Sequence, residues 1–370
     1  MSYIWQLEDW PGFFYSREKI EDEYNKFLYA KGLADASFNL LPLPAKTNVL
    51  ADAITQDAVY SSEIEGETLI YDSVYSSVMK NLDATFVASG NKDKNSQSVA
   101  DILFDACNNH GNITVERLLS WNKALFTGKA KCYVPERCGQ LRNKPVYVVH
   151  HLPKGNEEMI FEAVPASDVE NELNKLITWI NEPNIENSLI KSAIAGLWFV
   201  TIHPFSDGNG RISRALSDYV LSKDSTIKAK YYSVSASILR NKREYYSILE
   251  KTQKQKSMDI TDWIIWYAKN VTESLYLAKE TCAAKIKTAL FIHKLPPDKF
   301  NSRQLHVLYK LADGTFAGKL TADKWMKMTK CQSATATRDL GFLVDSKLLI
   351  RLGTSGKNFY YVLNPETVSL

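Results

Sequence analysis

Twelve consecutive residues, His203-Pro204-Phe205-Ser206-Asp207-Gly208-Asn209-Gly210-Arg211-Ile212-Ser213-Arg214, gather the groups that chemistry on a phosphate needs. A histidine titrates near neutral pH and can take a proton from a hydroxyl. Asp207, four residues on, is a hard oxygen donor of the kind Mg²⁺ accepts when it bridges phosphates. Gly208, Asn209 and Gly210 would open a helix, where unpaired backbone N–H groups and the positive end of the dipole meet an anion, and glycines let phosphate oxygens approach the backbone. Arg211 and Arg214 lie three apart on that helix and offer two guanidinium forks on one side. Each part alone has a plainer reading, as a turn, a tight loop or a solvated face. Together they supply a base, a metal ligand and an anion cradle.

The flanking sequence predicts what holds them. Ile190, Ile194, Leu197, Trp198 and Ile202 follow the spacing of one helix face, so a buried helix runs over residues 188–202 into the histidine. Ile212, Ala215, Leu216, Tyr219 and Val220 repeat it, so a second helix begins within Gly208 to Arg211.

HPFSDGNGRISR closely resembles the signature of the Fic family, HxFx(D/E)GNGRxxR, with every constrained position filled. The resemblance implies a helical enzyme that transfers AMP from ATP to a protein Ser, Thr or Tyr hydroxyl, with ATP and Mg²⁺ as co-substrate and cofactor. It implies His203 as base, Asp207 on Mg²⁺, the Gly208–Gly210 amides and Asn209 on the transferring charge, and Arg211 and Arg214 on the β- and γ-phosphates, with Phe205 anchoring the loop in the core. The target is another protein or the chain itself. Use of another nucleotide, and removal of AMP, stay open. So does a different class of protein: a DNA-binding regulator whose Fic-like domain senses a nucleotide without turnover. A pure sensor has no chemical need for His203.

Upstream, Ile54, Ala58, Ser61 and Glu65 share one face of a helix within residues 47–66, and Gly66 follows as its stop. From spacing alone Glu65 is a solvated carboxylate. Ser61-Ser62-Glu63-Ile64-Glu65-Gly66 nevertheless resembles the family's inhibitory motif, (S/T)xxxE(G/N). That resemblance implies that Glu65 pairs with Arg214 and places negative charge where the γ-phosphate belongs.

Residues 139–165 break the helical pattern. Val146 and Val148, then Ile160, Glu162 and Val164, flank the turn-rich 152–156 and predict a hairpin. In the Fic family a hairpin here lies over the active site and holds the target by strand-like pairing, which makes Lys144, Pro145, Val146, Tyr147, Val148 and Val149 the expected clamp. The resemblance also implies an amide and an aromatic near the nucleoside, here Asn241 and Tyr246 from residues 236–249, although aromatics are more often core. Further helices are expected over 16–30, 69–81, 98–108, 114–126, 170–180 and 259–276, with a loop over 90–97. The N-terminal aromatics Trp5, Trp10, Phe13 and Phe14 are expected to staple the first segment onto the core.

Residues 299–370 change character, with eleven Lys and Arg against five Asp and Glu, a local +6 in a chain of net charge +3. Three short helices and two strands around residues 353–357 resemble a winged helix-turn-helix. Thr335, Thr337 and Arg338 would face the major groove of double-stranded DNA, Lys357 would sit near the wing tip, and Lys347 and Arg351 could touch phosphates. Winged helices also serve as protein-interaction modules.

The expected fold is mainly α: a Fic-type helical core with a small β-hairpin flap, plus a C-terminal winged-helix domain. The expected division is 1–95, an N-terminal helical region with the inhibitory helix; 96–285, catalytic; and 296–370, the winged helix. With 370 residues, 45% hydrophobic and 24% charged, the composition is that of a soluble globular protein. The longest apolar run, 192–202, is shorter than the ~20 residues a bilayer span needs, and the first residues lack the pattern of a signal peptide, so a cytoplasmic protein without a membrane partner is expected. Five scattered cysteines without CxxC spacing read as reduced structural thiols. The oligomeric state stays open, a homodimer among the options.

Overall fold

The computed structural model describes residues 3–86, 93–126, 134, 137–151, 157–183, 186–223, 230–296, 298–314, 316, 318–353 and 359–368. Cys132, the expected turn over 152–156 and residues 354–358, Lys357 among them, lie outside these. The chain forms two compact units, Met1–Lys279 and Glu280–Leu370.

The first unit is helical. A 3-10 turn, Ile4–Gln6, precedes α1 (Arg17–Asn39), α2 (Leu43–Ile64), α3 (Tyr71–Leu82), α4 (Lys94–Asn108) and α5 (Val115–Leu125). The strands β1 (Tyr147–His151) and β2 (Glu157–Glu162) follow, then α6 (Val169–Asn181), α7 (Ser188–Ile202), α8 (Asn209–Lys223), α9 (Val234–Arg240), α10 (Lys242–Lys254) and α11 (Thr261–Lys294), within which the division between units falls.

The centre is the α7–α8 pair. Every α7 residue from Leu189 to Ile202 except Lys191 is buried, so this helix is apolar all round, as a core helix must be. Its approach to α8 is set by small residues. A Cβ on Gly196 would meet Ser217 Oγ at 2.5 Å, and Ser213 Oγ donates to Gly196 O at 2.9 Å. Ser192 Oγ donates to Ser217 O (2.9 Å) while Ser217 Oγ donates to Ser192 O (3.2 Å). These bonds fix the first half of α7 against the middle of α8. α2 is tied to the same core by Lys230, whose buried ammonium pairs with Asp218 Oδ1 of α8 at 2.6 Å and with Asp57 of α2.

β1 and β2 form an antiparallel hairpin, with Tyr147 opposite Glu162 and a register shift between Val148 and Val149. Its inner face packs Phe161 and Val148 on Tyr3 and Trp5, and Trp5 Nε1 donates to Glu162 O at 2.7 Å. Trp5 therefore fastens the first segment to the hairpin and Trp10 and Phe13 pack on Trp198 of α7, whereas the Phe14 side chain is exposed.

Several boundaries differ from the sequence reading. The expected loop at 90–97 already contains α4, which starts at Lys94 because Asp93 accepts from Asn95 N and Ser96 N as its N-cap. The single segment 236–249 divides at Asn241 into α9 and α10. α1 runs to Asn39, and α11 is one helix of 34 residues that continues past the expected end at 276.

The second unit contains α12 (Ser302–Ala312), α13 (Ala322–Thr329), α14 (Ser333–Asp345) and an antiparallel pair, β3 (Leu349–Leu352) and β4 (Tyr360–Leu363), with Leu320 bridging to Tyr361. Trp325, Val307, Leu308, Leu340 and Leu343 form its core. Buried Asp339 joins α14 to α12 by accepting from Asn301 Nδ2 (3.0 Å), Arg303 Nε (3.1 Å) and Gln304 Nε2 (3.2 Å). Among the described residues, no helix is long and apolar enough to cross a membrane.

Candidate functional site

α7 ends at His203 because Pro204 follows, and the residue before a proline is excluded from the right-handed helical region. His203 takes the left-handed conformation instead, φ 54° and ψ 58°, while its N–H still donates to Phe199 O at 3.0 Å. Its Nδ1 lies 3.1 Å from Val200 O, which suits a ring protonated at Nδ1 with Nε2 available as acceptor. Burial lowers the imidazole to about 4, so the ring is neutral at physiological pH.

The loop after it is built from both sides. Phe205 is fully buried, and Asn209 braces it, Oδ1 accepting from Phe205 N (2.9 Å) and Nδ2 donating to Phe205 O (2.8 Å). The Asn209 side chain is thus used inside the loop, and its contribution to an anion would come from the backbone. Gly208 has φ +83°, and a Cβ there would meet Leu125 Cδ1 at 2.9 Å, so only glycine fits. Asn122 of α5 donates to Asp207 O at 2.9 Å. Asp207 Oδ1 accepts from Gly208 N at 2.6 Å and lies 3.9 Å from Arg211 Nη2.

Both motif arginines are buried and meet the segment after α2. Arg214 Nη2 donates to Glu65 Oε1 (2.8 Å) and Ser61 O (2.8 Å), and its Nε donates to Ser61 Oγ (2.8 Å). Burial opposes the charge on Arg214, but the Glu65 carboxylate together with Tyr245 and Tyr246 more than offsets it, and the pKa lies above its ordinary value. Glu65 reaches this position over Gly210, where a Cβ would stand 2.1 Å from Glu65 Oε1. Arg211 Nη1 donates to Glu67 Oε2 at 2.5 Å, with its guanidinium 5.3 Å above the Phe126 ring. Arg211 Nε and Arg214 Nη1 are buried without a hydrogen-bond partner. Two guanidinium groups therefore keep donors that the two carboxylates leave unused.

A cavity of about 720 Å³ opens between this loop, the hairpin and α10, within the range of small-molecule sites. Glu65, His203 and Gly210 line one side, Val148, Val149, Ile160 and Phe161 the hairpin side, and Arg243, Tyr246, Glu250 and Gln253 the α10 side. Tyr246 OH donates to Ile64 O at 3.2 Å. Asn241 stands apart, donating to Asn270 Oδ1 (3.1 Å) and Glu273 Oε2 (3.4 Å) across to α11. Of the expected clamp, Val148 and Val149 reach the cavity, Lys144, Pro145 and Tyr147 are exposed, and Val146 packs on Phe161. In the second unit Thr337 and Arg338 are exposed and Thr335 is half-buried.

Glu67, Arg243 and Arg142 escaped the sequence reading. Glu67 had a signal, an acid two residues beyond Glu65 across a glycine. The other two look like ordinary surface arginines in sequence. Among the described residues, no three His, Cys, Asp or Glu side chains gather as a metal cage. A Mg²⁺ ion held by one carboxylate and by phosphate oxygens needs no such cage, and Asp207 beside the cradle fits that donor set.

Residues 112–221 match the family model described as the Fic/DOC family, and residues 3–84 match one described as a domain of unknown function, DUF4172. The chain is 29% identical over 112 residues to "Protein adenylyltransferase Fic" of Nematostella vectensis, a match covering 30% of this chain and 23% of that protein. It is 27% identical over 111 residues to a "Probable protein adenylyltransferase" of Aquifex aeolicus, covering 28% of this chain and 32% of the relative. The chain thus spans a third or less of these relatives. A Fic family protein from Desulfovibrio desulfuricans, solved by crystallography, superposes with a TM-score of 0.56 at 20% identity, covering 95% of this chain and 98% of that one. Fic-1 of Caenorhabditis elegans superposes with a TM-score of 0.50 at 17% identity, covering 73% and 74%. The expected mainly helical, Fic-type fold is therefore the observed one.

Proposed function

We propose that the first unit transfers AMP from ATP to a hydroxyl of a protein, its own chain included, and that Glu65 restrains the transfer from within. The observation that carries this reading is a cavity lined by the neutral His203 imidazole, Gly210 at the start of α8 and Glu65, with Glu65 bonded to the buried Arg214 behind it. In this reading His203 takes the proton of a Ser, Thr or Tyr hydroxyl while that oxygen attacks the α-phosphorus of ATP. The bond to the bridging oxygen breaks and pyrophosphate leaves. The backbone amides at the start of α8 face the charge developing on the α-phosphoryl oxygens, and Arg211 and Arg214 bind the outer phosphates. Tyr246 contacts the nucleoside, and β1 pairs with the target segment. Asp207 would hold Mg²⁺, which when bound neutralises phosphate charge.

The restraint follows from the same contacts. Glu65 occupies Arg214 and covers Gly210, so negative charge stands where phosphate oxygens would go. ATP labelled on the α-phosphate tests both parts, with the parent chain, Glu65→Gly and His203→Ala incubated with Mg²⁺ and a cell lysate. If Glu65 withholds roughly 3 kcal/mol of productive binding, its removal raises labelling about a hundredfold. His203→Ala in the Glu65→Gly background abolishes it. No label in any form, with ATP binding demonstrated, would refute the transferase.

A second activity belongs to the second unit, read as a winged helix on double-stranded DNA. Its supporting observation is the exposure of Thr337 and Arg338 on α14 within a basic segment.

A further inference from the structure

One buried arginine of the first unit has no carboxylate partner among the described residues. Arg142 is 3% exposed, and its guanidinium meets carbonyl oxygens only. Nε donates to His203 O at 2.7 Å, Nη1 to Lys144 O at 3.0 Å, and Nη2 to Ile202 O at 3.2 Å and to Val164 O. Its backbone N–H donates to Pro204 O at 3.0 Å. A buried charge without a counter-ion is expensive. Here the carbonyls and negative dipole end of α7 supply the compensation. The expense still registers, because burial lowers Arg142 to about 10.

The acceptors fall into two groups. Ile202 and His203 are the end of α7, which carries the base. Lys144 precedes β1 and Val164 follows β2, so they are the two roots of the hairpin, where Ala163 N donates to Val146 O at 3.1 Å. A planar fork can bond in several fixed directions at once, whereas a lysine offers a point charge. We propose that Arg142 is a positioning residue that holds the β1–β2 hairpin in register with His203, so that a segment paired along β1 presents its hydroxyl to the imidazole. This rests on the transferase reading.

The test compares the full chain carrying Glu65→Gly with the same chain also carrying Arg142→Lys. It measures affinity for ATP with Mg²⁺, the rate of α-labelled AMP incorporation at saturating ATP, and deuterium uptake by amide groups of 147–151 and 157–162. The expected result is unchanged ATP affinity, a loss of rate of about tenfold or more, since small misplacements of a reacting group are costly, and faster exchange confined to the two strands. Unchanged strand exchange would overturn the proposal. So would faster exchange throughout the unit with a parallel loss of ATP affinity, which marks a general structural role. Were Glu65→Gly to label nothing, the exchange comparison would still decide whether Arg142 fixes the hairpin, while the missing label would count against the transferase alone.

Discussion

Two carboxylates separated by Gly66 hold two arginines three apart on α8, and in the proposed restraint the second pair would act beside Glu65. Glu67 is partly buried, and its burial raises its pKa against the pull of Arg211, so the ionised carboxylate is held there at a desolvation expense. Its geometry is monodentate, since Arg211 Nη1 is bonded at 2.5 Å while Arg211 Nε has no partner. A polyphosphate could engage both nitrogens. Glu67→Gln removes the charge with little change of shape and should free Arg211 without disturbing Glu65. ATP affinity, measured calorimetrically in the parent chain and the variant, should rise by about tenfold, roughly 1.4 kcal/mol. An unchanged or weaker affinity would leave Glu67 as a structural partner of Arg211 with no share in the restraint.

The helix that brings these carboxylates is bolted into the core about two turns before Glu65. Asp57 of α2 and Asp218 of α8 share the ammonium of Lys230, and Asp57 also accepts from Ser233 Oγ (2.7 Å) and Ser235 N (3.0 Å). Lys230→Met would leave two buried carboxylates facing each other, a loss of about 3–5 kcal/mol by the usual penalty for breaking a buried ion pair. Urea unfolding should show it as a large drop in midpoint, and a change under 1 kcal/mol, roughly the value of a surface pair, would mean that water reaches the triad. None of this was legible in sequence, because Asp57 and Lys230 are 173 residues apart and each reads locally as an exposed charge. Local signals fared better. The periodicity of 188–202 and the glycines at 208 and 210 identified α7 and the start of α8, since there backbone and apolar face agree. α4 began early because Asp93 caps it, a signal masked by the polar run around it. α11 continued through 277–294 because nothing in that stretch breaks a helix before Pro296. Arg142 was invisible because its partners are backbone carbonyls, which any sequence supplies.

At the scale of the molecule, the charge is unevenly shared. Residues 299–370 carry +6 of a chain whose total is +3, so the remainder is net acidic and the basic character belongs to the second unit. In that unit Asp339 of α14 is buried and bonded to Arg303, whereas Asp345, two turns beyond Arg338, is exposed and offsets part of the positive charge on that face. Lys347, exposed just after α14 with φ 61°, is the expected phosphate contact in the DNA-binding reading. Phosphate contacts and base contacts then predict different behaviour. Binding of the full chain to a random-sequence duplex should weaken with salt by a slope of about 0.9 per neutralised phosphate, and Lys347→Ala should reduce that slope by about one. Arg338→Ala should cost about 1–3 kcal/mol on a selected sequence and much less on random DNA, because a base edge carries sequence and a phosphate does not. Fluorescence anisotropy over a salt series measures both. No binding at low salt, or binding indifferent to salt, would remove the duplex as partner and leave α14 as a surface for protein.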